Sequence, residues 1–239
     1  MQVACITFVF KFAGFATNFR SYSAYVLVAI IPWTFFQTAT LDACQSILLM
    51  YSVIKKVYLP REVVPLSSAI SNFIHFLMSW CVFFAYLLLY VRAPLPATAI
   101  WFPYLLLVQL MLVAGMGLLV SCLNVFYEDV KYIVTVLLNL LFFLTPIMYV
   151  FEQIYFSHML QRPDKAWIRF LFLWNPMTGL INGYRKALLE PPDPASIGGH
   201  PSLPLDVTSL LITGAVSFAI LVLSYAYFNS RKWQFVERP

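Results

Sequence analysis

The sequence predicts an all-α integral membrane protein, and three observations support this fold class. Hydrophobic residues make up 62% of the 239 residues and only 10% carry charge, whereas soluble domains carry about 25% charged residues. Several apolar stretches reach the roughly 20 residues that a helix needs to cross a bilayer. Lysine and arginine collect beside these stretches, so the net charge of +5 needs no nucleic-acid partner to explain it.

The apolar stretches organise the chain as a single transmembrane domain, 1–239. Residues 1–19 are predicted to be the remnant of a first span and its outer loop, because the apolar run before Lys11 is too short to cross a bilayer. Further spans are predicted at 22–54, 64–90, 99–123, 131–150 and 207–228. The connections between and after them are 54–66, 124–131, 151–205 and 229–239. A helix over 22–54 is longer than a bilayer is thick, so we expect it to protrude from one face.

The positions of lysine and arginine predict the orientation. Seven of them lie on the side that holds 54–66, the turn 124–131 and the tail: Lys55, Lys56, Arg61, Lys131, Arg231, Lys232 and Arg238. Three lie in short loops on the other side: Lys11, Arg20 and Arg92. The positive-inside rule therefore places 54–66 in the cytoplasm. If the long connection 151–205 is included, the counts become seven on the first side and eight on the other. The evidence for the orientation therefore comes from the short loops alone.

The long connection contains an apolar segment that Asn175-Pro176 interrupts. Proline disfavours helix just before itself, and asparagine followed by proline is a good helix start. We therefore predict two short helices, about 164–174 and 176–189, each too short to cross a membrane alone. A re-entrant pair satisfies these lengths if its broken backbone is buried in protein or faces water.

Polar and aromatic residues follow one face of several predicted spans. Between 131 and 150 they recur every three or four residues: Tyr132, Thr135, Asn139, Phe142, Pro146 and Tyr149. Such a seam either lines a conduit, where flat aromatic faces suit sugar rings, or mediates ordinary helix packing. Two other spans have similar faces, Ser68, Asn72, His75, Ser79 and Tyr86 in one and Thr34, Thr38, Asp42 and Gln45 in the other. Asp42 lies either near the interface or on a transport path.

The chain has little of the chemistry that an enzyme needs. Its four cysteines, Cys5, Cys44, Cys81 and Cys122, lie in apolar stretches without metal-ligand or disulfide spacing, and no Walker A loop, HExxH or GxSxG occurs. Only the adjacent pair Glu128-Asp129 offers clustered carboxylates, and neighbours on a helix do not point to one spot. A membrane-embedded glycan- or lipid-modifying enzyme is therefore an alternative without a convincing site, and no metal site is predicted.

Four motifs, in this order and separation, carry a family resemblance: "IKKVYLPREVVPL", "LNVFYEDVKYIV", "LFFLTPIMY" and "NPMTGLINGYRKALL". Together they resemble the permease subunits of ATP-binding-cassette exporters of polysaccharides such as O-antigen and teichoic acid. The resemblance implies a six-span fold in the inner membrane of a bacterium, with one cytoplasmic coupling helix and an external re-entrant helix pair. It also implies a second copy of the chain and two ATPase subunits as partners, with a lipid-linked polysaccharide as substrate. ATP and Mg²⁺ would bind the partner ATPase, and this chain would hold no cofactor.

The resemblance assigns roles to residues by their place in the motifs. Contact with the ATPase is implied for Ile54, Lys55, Lys56, Tyr58, Leu59, Pro60, Arg61, Glu62, Glu128 and Asp129. Aromatic residues line the sugar path in the family, so the seam residues Tyr132, Asn139, Phe142, Pro146 and Tyr149 are candidate path residues, together with Tyr22, Tyr25, Trp33 and Phe36. The re-entrant helices would contain Trp174, Asn175, Pro176, Tyr184 and Arg185.

The chain departs from the family pattern in two places. The family has a cytoplasmic amphipathic helix and a complete first span, which we do not find here, so no substrate-entry residues are assigned. Its second turn usually reads Arg-Asp where this chain has Glu128-Asp129, and this reversal of charge weakens any specific ionic contact there. The nearest alternative function is a related permease for drugs or other small lipophilic molecules.

Overall fold

The computed structural model describes residues 22–54, 56, 60–91, 96–149, 175–189 and 204–233. Every regular element in these ranges is a helix. The α-helices are α1 (Tyr22–Leu49), α2 (Tyr51–Ile54), α3 (Val63–Tyr86), α4 (Phe102–Phe126), α5 (Val130–Leu144), α6 (Pro176–Leu188) and α7 (Val207–Arg231). A π-helical turn, Leu87–Val91, extends α3, and a 3₁₀ turn, Ala97–Trp101, precedes α4.

Four helices in the described residues are long and apolar enough to cross a membrane. They cover Ser23–Leu49, Val63–Tyr90, Ala97–Phe126 and Val207–Arg231, and α5 is a shorter apolar helix. These helices confirm the predicted fold class, an all-α integral membrane protein. The predicted elements at 1–19, most of 151–205 and 234–239 lie outside the described residues.

α1 and α4 form the centre of the described helices, and α3 and α7 lie at the periphery. The central apolar windows of α1 and α4 are each 67% buried, against 22% in α3 and 28% in α7. Glycines allow the close contacts of α4 on both sides. A Cβ at Gly117 would lie 2.9 Å from the Cβ of Ala43 in α1, and one at Gly115 would lie 2.9 Å from the backbone of Leu221 in α7.

The large aromatic side chains fill the core between α3, α4 and α6. Trp80 is 2% exposed and its ring contacts Phe76, Phe83, Phe102 and Tyr184 at centroid distances of 5.0–6.0 Å. In contrast, Ile70, Ile74, Met78 and Val82 follow each other every four residues on an exposed face of α3. In a membrane protein, this exposed apolar face of α3 is suited to contact with lipid.

Two predicted helices end earlier than expected. The predicted span 22–54 is interrupted at Met50, so that α1 ends at Leu49 and α2 follows separately. With 28 residues α1 is still about 42 Å long, which exceeds the roughly 30 Å hydrocarbon core. The predicted span 131–150 ends at Leu144, because Thr145 precedes a proline and adopts an extended conformation with ψ of 141°.

Candidate functional site

The residues before α3 contact the end of α7. The Arg61 guanidinium donates to the Lys232 carbonyl, and the Lys232 ammonium lies 3.6 Å from the Glu62 carboxylate. Pro60 and Lys56 are exposed. Ile54 ends α2, while Lys55, Tyr58 and Leu59 lie outside the described residues. We call the end of the bundle that holds these residues the coupling end.

The second predicted ATPase contact lies at the same end. Glu128 and Asp129 are exposed in the turn between α4 and α5. Just before this turn, the buried Asn124 amide donates to the Cys44 carbonyl of α1 over 2.9 Å. A small apolar cluster, formed by residues of α1, α4 and α7, completes this end: Ile47, Leu118, Cys122 and Phe228. Both exposed connections are therefore anchored on packed helices.

A polar face extends across α1 and α3. Thr34, Thr38, Asp42 and Gln45 of α1 are all exposed, as are His75 and Ser79 of α3. The Asn72 amide of α3 donates to the Asp42 carboxylate over 2.9 Å, so the two predicted polar faces adjoin. Polar groups inside a span avoid lipid. We therefore expect this polar face to meet protein, water or a polar solute.

Asp42 lies toward the coupling end of α1. Seven residues separate it from the end of the helix at Leu49, a rise of about 10 Å. Because α1 is about 12 Å longer than the hydrocarbon core, Asp42 lies close to the membrane boundary if the excess protrudes at the coupling end. Both interpretations of Asp42 that the sequence left open are compatible with this position.

The predicted seam of α5 is exposed only in part in the described structure, and it becomes buried toward Pro146. Tyr132 and Asn139 are exposed, and Thr135 is half-buried with its hydroxyl bonded to the Lys131 carbonyl. Phe142 packs edge-on against Trp33 of α1 at 5.6 Å, so this part of the seam contacts the buried side of α1. Among residues 130–144, Leu138 is the buried one.

Three of the predicted aromatic path residues on α1 have buried side chains. Tyr25 is 7% exposed, Trp33 2% and Phe36 3%. Trp33 also donates from its indole to the Gln37 side chain over 3.2 Å. Within the described chain these rings pack between helices, and the open face of α1 consists of the hydroxyl, amide and carboxyl groups named above. Their role in a path stays a prediction, and the side chain of Tyr22 lies outside the described residues.

The far end of the bundle, which we call the outer end, is built around α6. Asn175 caps this helix by accepting from the Met177 backbone amide over 3.0 Å, with Pro176 at the first helical position, which confirms the predicted helix start. Tyr184 is fully buried beside Trp80. The predicted first short helix and Trp174 lie outside the described residues.

Arg185 is the charged side chain that the outer end buries. It is 4% exposed, lies 3.7 Å above the Tyr25 ring, and donates to the carbonyls of Pro146 and Ile147 over 2.5 and 2.6 Å. Two sequence-predicted sets, the end of the α5 seam and the re-entrant helix, therefore meet at one guanidinium. Tyr149 also takes part through its carbonyl, 3.3 Å from the same side chain.

Two buried amides were not predicted from the sequence. Gln109 is the lone amide in an apolar stretch of α4, and its amide donates to the Pro32 carbonyl over 3.3 Å. Asn124 was considered only as the start of a turn. A single amide in an otherwise apolar span was the available signal, because such a group needs an internal partner. No group of three or more metal-ligating side chains occurs among the described residues.

The comparisons with known proteins agree with the resemblance found in the motifs. No protein-family model matches the chain. The chain is 27% identical to the O-antigen export system permease protein RfbA of Klebsiella pneumoniae over 232 residues, which cover 96% of this chain and 80% of that protein. It is 26% identical to the protein of the same name from Myxococcus xanthus over 220 residues, which cover 92% and 77% of the two chains.

Fold and similarity together define the class of the protein, a multi-pass protein of a bacterial inner membrane. The similarity to O-antigen export permeases over most of the chain supports the predicted resemblance to the permease subunits of ATP-binding-cassette polysaccharide exporters.

Proposed function

We propose that the protein is the permease subunit of an exporter that uses ATP hydrolysis to move a lipid-linked or lipid-anchored polysaccharide across the inner membrane. The observation that carries this proposal is the similarity to relatives named O-antigen export permeases along 96% of the chain. O-antigen, teichoic acid or a similar glycan is the proposed cargo. The chain acts as a transport subunit and not as an enzyme.

The energy for transport comes from a partner in this proposal. The chain pairs with a second copy of itself and with two ATPase subunits, which bind ATP and Mg²⁺. The exposed residues 56 and 60 and the exposed turn at 128–129 support this, because they offer a partner two accessible connections at one end. Co-purification from the native membrane is the direct test. A soluble ATPase that carries a Walker A motif should accompany the permease, and its reproducible absence from a functional complex would contradict the proposal.

The connection before α3 allows a sharper test of coupling. Replacing Pro60, Arg61 and Glu62 with Gly-Ser-Gly should stop export and release the ATPase, while membrane insertion and dimerisation survive. The matched control is Lys232→Met, which removes the ion-pair partner of Glu62 but keeps the backbone carbonyl that Arg61 contacts. If the control loses export as completely as the triple variant, the contact with α7 and not the ATPase explains the result.

The glycan path is proposed to follow the polar face of α1 and α3 and the seam of α5. Asn139 and Leu140 are adjacent and exposed on α5, and only Asn139 belongs to the seam. Asn139→Trp should obstruct the path and reduce export by about tenfold or more, which corresponds to about 1.4 kcal/mol. Leu140→Trp places the same side chain on the neighbouring surface and should export normally. Equal export by the two variants would favour the packing interpretation of the seam.

A further inference from the structure

The end of α5 poses a hydrogen-bonding problem inside a membrane protein. The last four carbonyls of any α-helix lack helical partners, and the hydrocarbon region offers no water to satisfy them. Here the helix ends at Leu144 and the chain continues through the non-helical residues 145–149. The number of carbonyls in need of donors therefore rises beyond the usual four.

Side chains of the segment itself satisfy the first carbonyls. The Thr145 hydroxyl donates to the carbonyls of Leu141 and Phe142 over 2.9 and 3.1 Å. The Tyr149 hydroxyl folds back and donates to those of Phe143 and Leu144 over 3.2 and 3.1 Å. Each hydroxyl has one hydrogen, which the two carbonyls beside it share, so the four terminal carbonyls of α5 lie within hydrogen-bonding distance of these two donors. The Leu141 carbonyl also accepts from the Thr145 backbone amide over 2.9 Å.

Arg185 satisfies the carbonyls that follow. Its two terminal nitrogens donate to Pro146, Ile147 and Tyr149, and its Nε donates to the Tyr25 carbonyl over 3.4 Å. Arginine stays protonated at any physiological pH and its planar group presents five donors in a fixed geometry. One side chain of α6 therefore reaches the end of α5 and the start of α1 together.

Electrostatics favours a cation at this position. The guanidinium follows the carboxyl end of α5, where the helix dipole places partial negative charge, and the Tyr25 ring lies against its face. A buried charge is retained at low cost only when it is well hydrogen-bonded in this way. The site is built for an arginine and not for any large polar residue.

We propose that Arg185 is a positioning residue that locks residues 145–149 to α1 and α6, so that these three parts move as one unit at the outer end. The lock fixes Pro146 and Tyr149, which stand at the end of the candidate path. This role in transport rests on the proposed function, whereas the lock itself does not. Removing it should let residues 145–149 leave their packed position.

Labelling of a cysteine at position 147 tests the lock. Ile147 is fully buried, so Ile147→Cys, in a chain whose native cysteines are replaced, should react slowly with a maleimide in the purified complex in lipid nanodiscs. Arg185→Met keeps an unbranched, though shorter, side chain and removes every donor. It should raise the labelling rate by about tenfold or more, because labelling follows the population of the open form. Lys186→Met, the same change at the adjacent half-buried cation, should leave the rate unchanged.

Arg185→Lys separates donor geometry from charge. A lysine keeps the charge but cannot present donors to carbonyls on two elements in the same fixed arrangement, so its labelling rate should fall between those of Arg185 and Arg185→Met. If Arg185→Met does not accumulate, the lysine variant decides alone. The proposal is overturned if the Arg185 variant that is measured labels at the same rate as the protein with Arg185. It is also overturned if Lys186→Met raises the labelling rate as much as the Arg185 substitution does. Labelling needs no transported glycan, so its result can be interpreted even if the proposed export function is wrong.

Discussion

The approach of α4 to α7 at Gly115 can be tested by adding a side chain there. An ideal Cβ at Gly115 would lie 2.9 Å from both the Cα and the N of Leu221. Carbon atoms in favourable contact are about 3.5–4.0 Å apart. Since the obstacle is backbone, no change of rotamer relieves the clash. Any side chain at this position must push the two helices apart.

The expected loss of stability follows from two opposing effects. Overpacking of a well-packed contact costs about 1–3 kcal/mol, and alanine recovers about 1 kcal/mol because it favours helix over glycine. Gly115→Ala should therefore destabilise the protein by at most about 2 kcal/mol. Gly115→Val brings two more methyl groups against the same backbone and should cost about 3 kcal/mol or more. For a chain of this size, that corresponds to a fall in melting temperature of about 6–12 °C.

The assay is the loss of the monodisperse peak in fluorescence-detected gel filtration after heating in detergent. Gly214→Ala is the matched control on the same helix pair, because its Cβ meets the tip of the Tyr104 side chain and not backbone, so that relief costs at most the hydrogen bond from that hydroxyl to the Leu210 carbonyl. Its melting temperature should fall less than that of Gly115→Ala. A Gly115→Val protein that melts within about 2 °C of the unsubstituted protein would refute the described approach of α4 and α7.

Two further substitutions test the buried contacts that position the site. Asn124→Ala leaves the Cys44 carbonyl without its side-chain donor and should destabilise the protein by about 1–3 kcal/mol, measured by the same assay; an unchanged melting temperature would show that the bond is absent. Trp33→Ala removes a ring buried against Phe142 and should cost about 3–5 kcal/mol, with Trp33→Phe milder. If the alanine variant were fully stable and defective only in export, Trp33 would line the path and not the core.

Helix positions were predictable because the length and composition of an apolar run nearly determine a span. Where two runs contain proline, however, the outcomes differ. α1 continues through Pro32, whereas α5 stops just before Pro146. After α5 the carbonyls of Pro146 and Ile147 accept from Arg185, a partner from a distant part of the chain. In α1 the Gln109 amide bonds the Pro32 carbonyl, whereas the carbonyl that the proline leaves without a helical donor is that of Val28. A sequence pattern shows where a proline weakens a helix. It does not show which distant side chains bond the carbonyls near that proline.

The candidate site was also only partly predictable from the sequence. Periodicity indicated the polar faces of α1 and α3; the four residues on α1 are exposed, and the α3 face is partly exposed and partly half-buried. That they adjoin through Asp42 and Asn72 depends on which helices are neighbours, which periodicity does not specify. The aromatic side chains of α1 were assigned to a path by resemblance, yet Trp33 and Phe36 are buried within the described helices. An aromatic ring in an apolar span fits a core and a sugar path equally well until its neighbours are known.

α1 is the element that joins the two ends of the site. Its start contacts Arg185 through Tyr25, and near its other end the Cys44 carbonyl accepts from Asn124 at the coupling end. α1 is one continuous helix between these two contacts, although it contains Pro32. We infer that displacement at the proposed ATPase contact reaches the locked unit at the other end through α1.

Softening α1 without changing its packing tests this transmission. Thr34 and Thr38 are exposed, and their hydroxyls bond only carbonyls of α1 itself among the contacts described. Replacing both with glycine costs helix stability of about 1 kcal/mol per site relative to alanine, so the double glycine variant should export less glycan per ATP hydrolysed than the double alanine variant. Ala215→Gly with Ala219→Gly softens an exposed face of α7 with the same spacing and should leave that ratio unchanged. Equal ratios for the glycine and alanine forms of α1 would mean that displacement reaches the outer end through other helices.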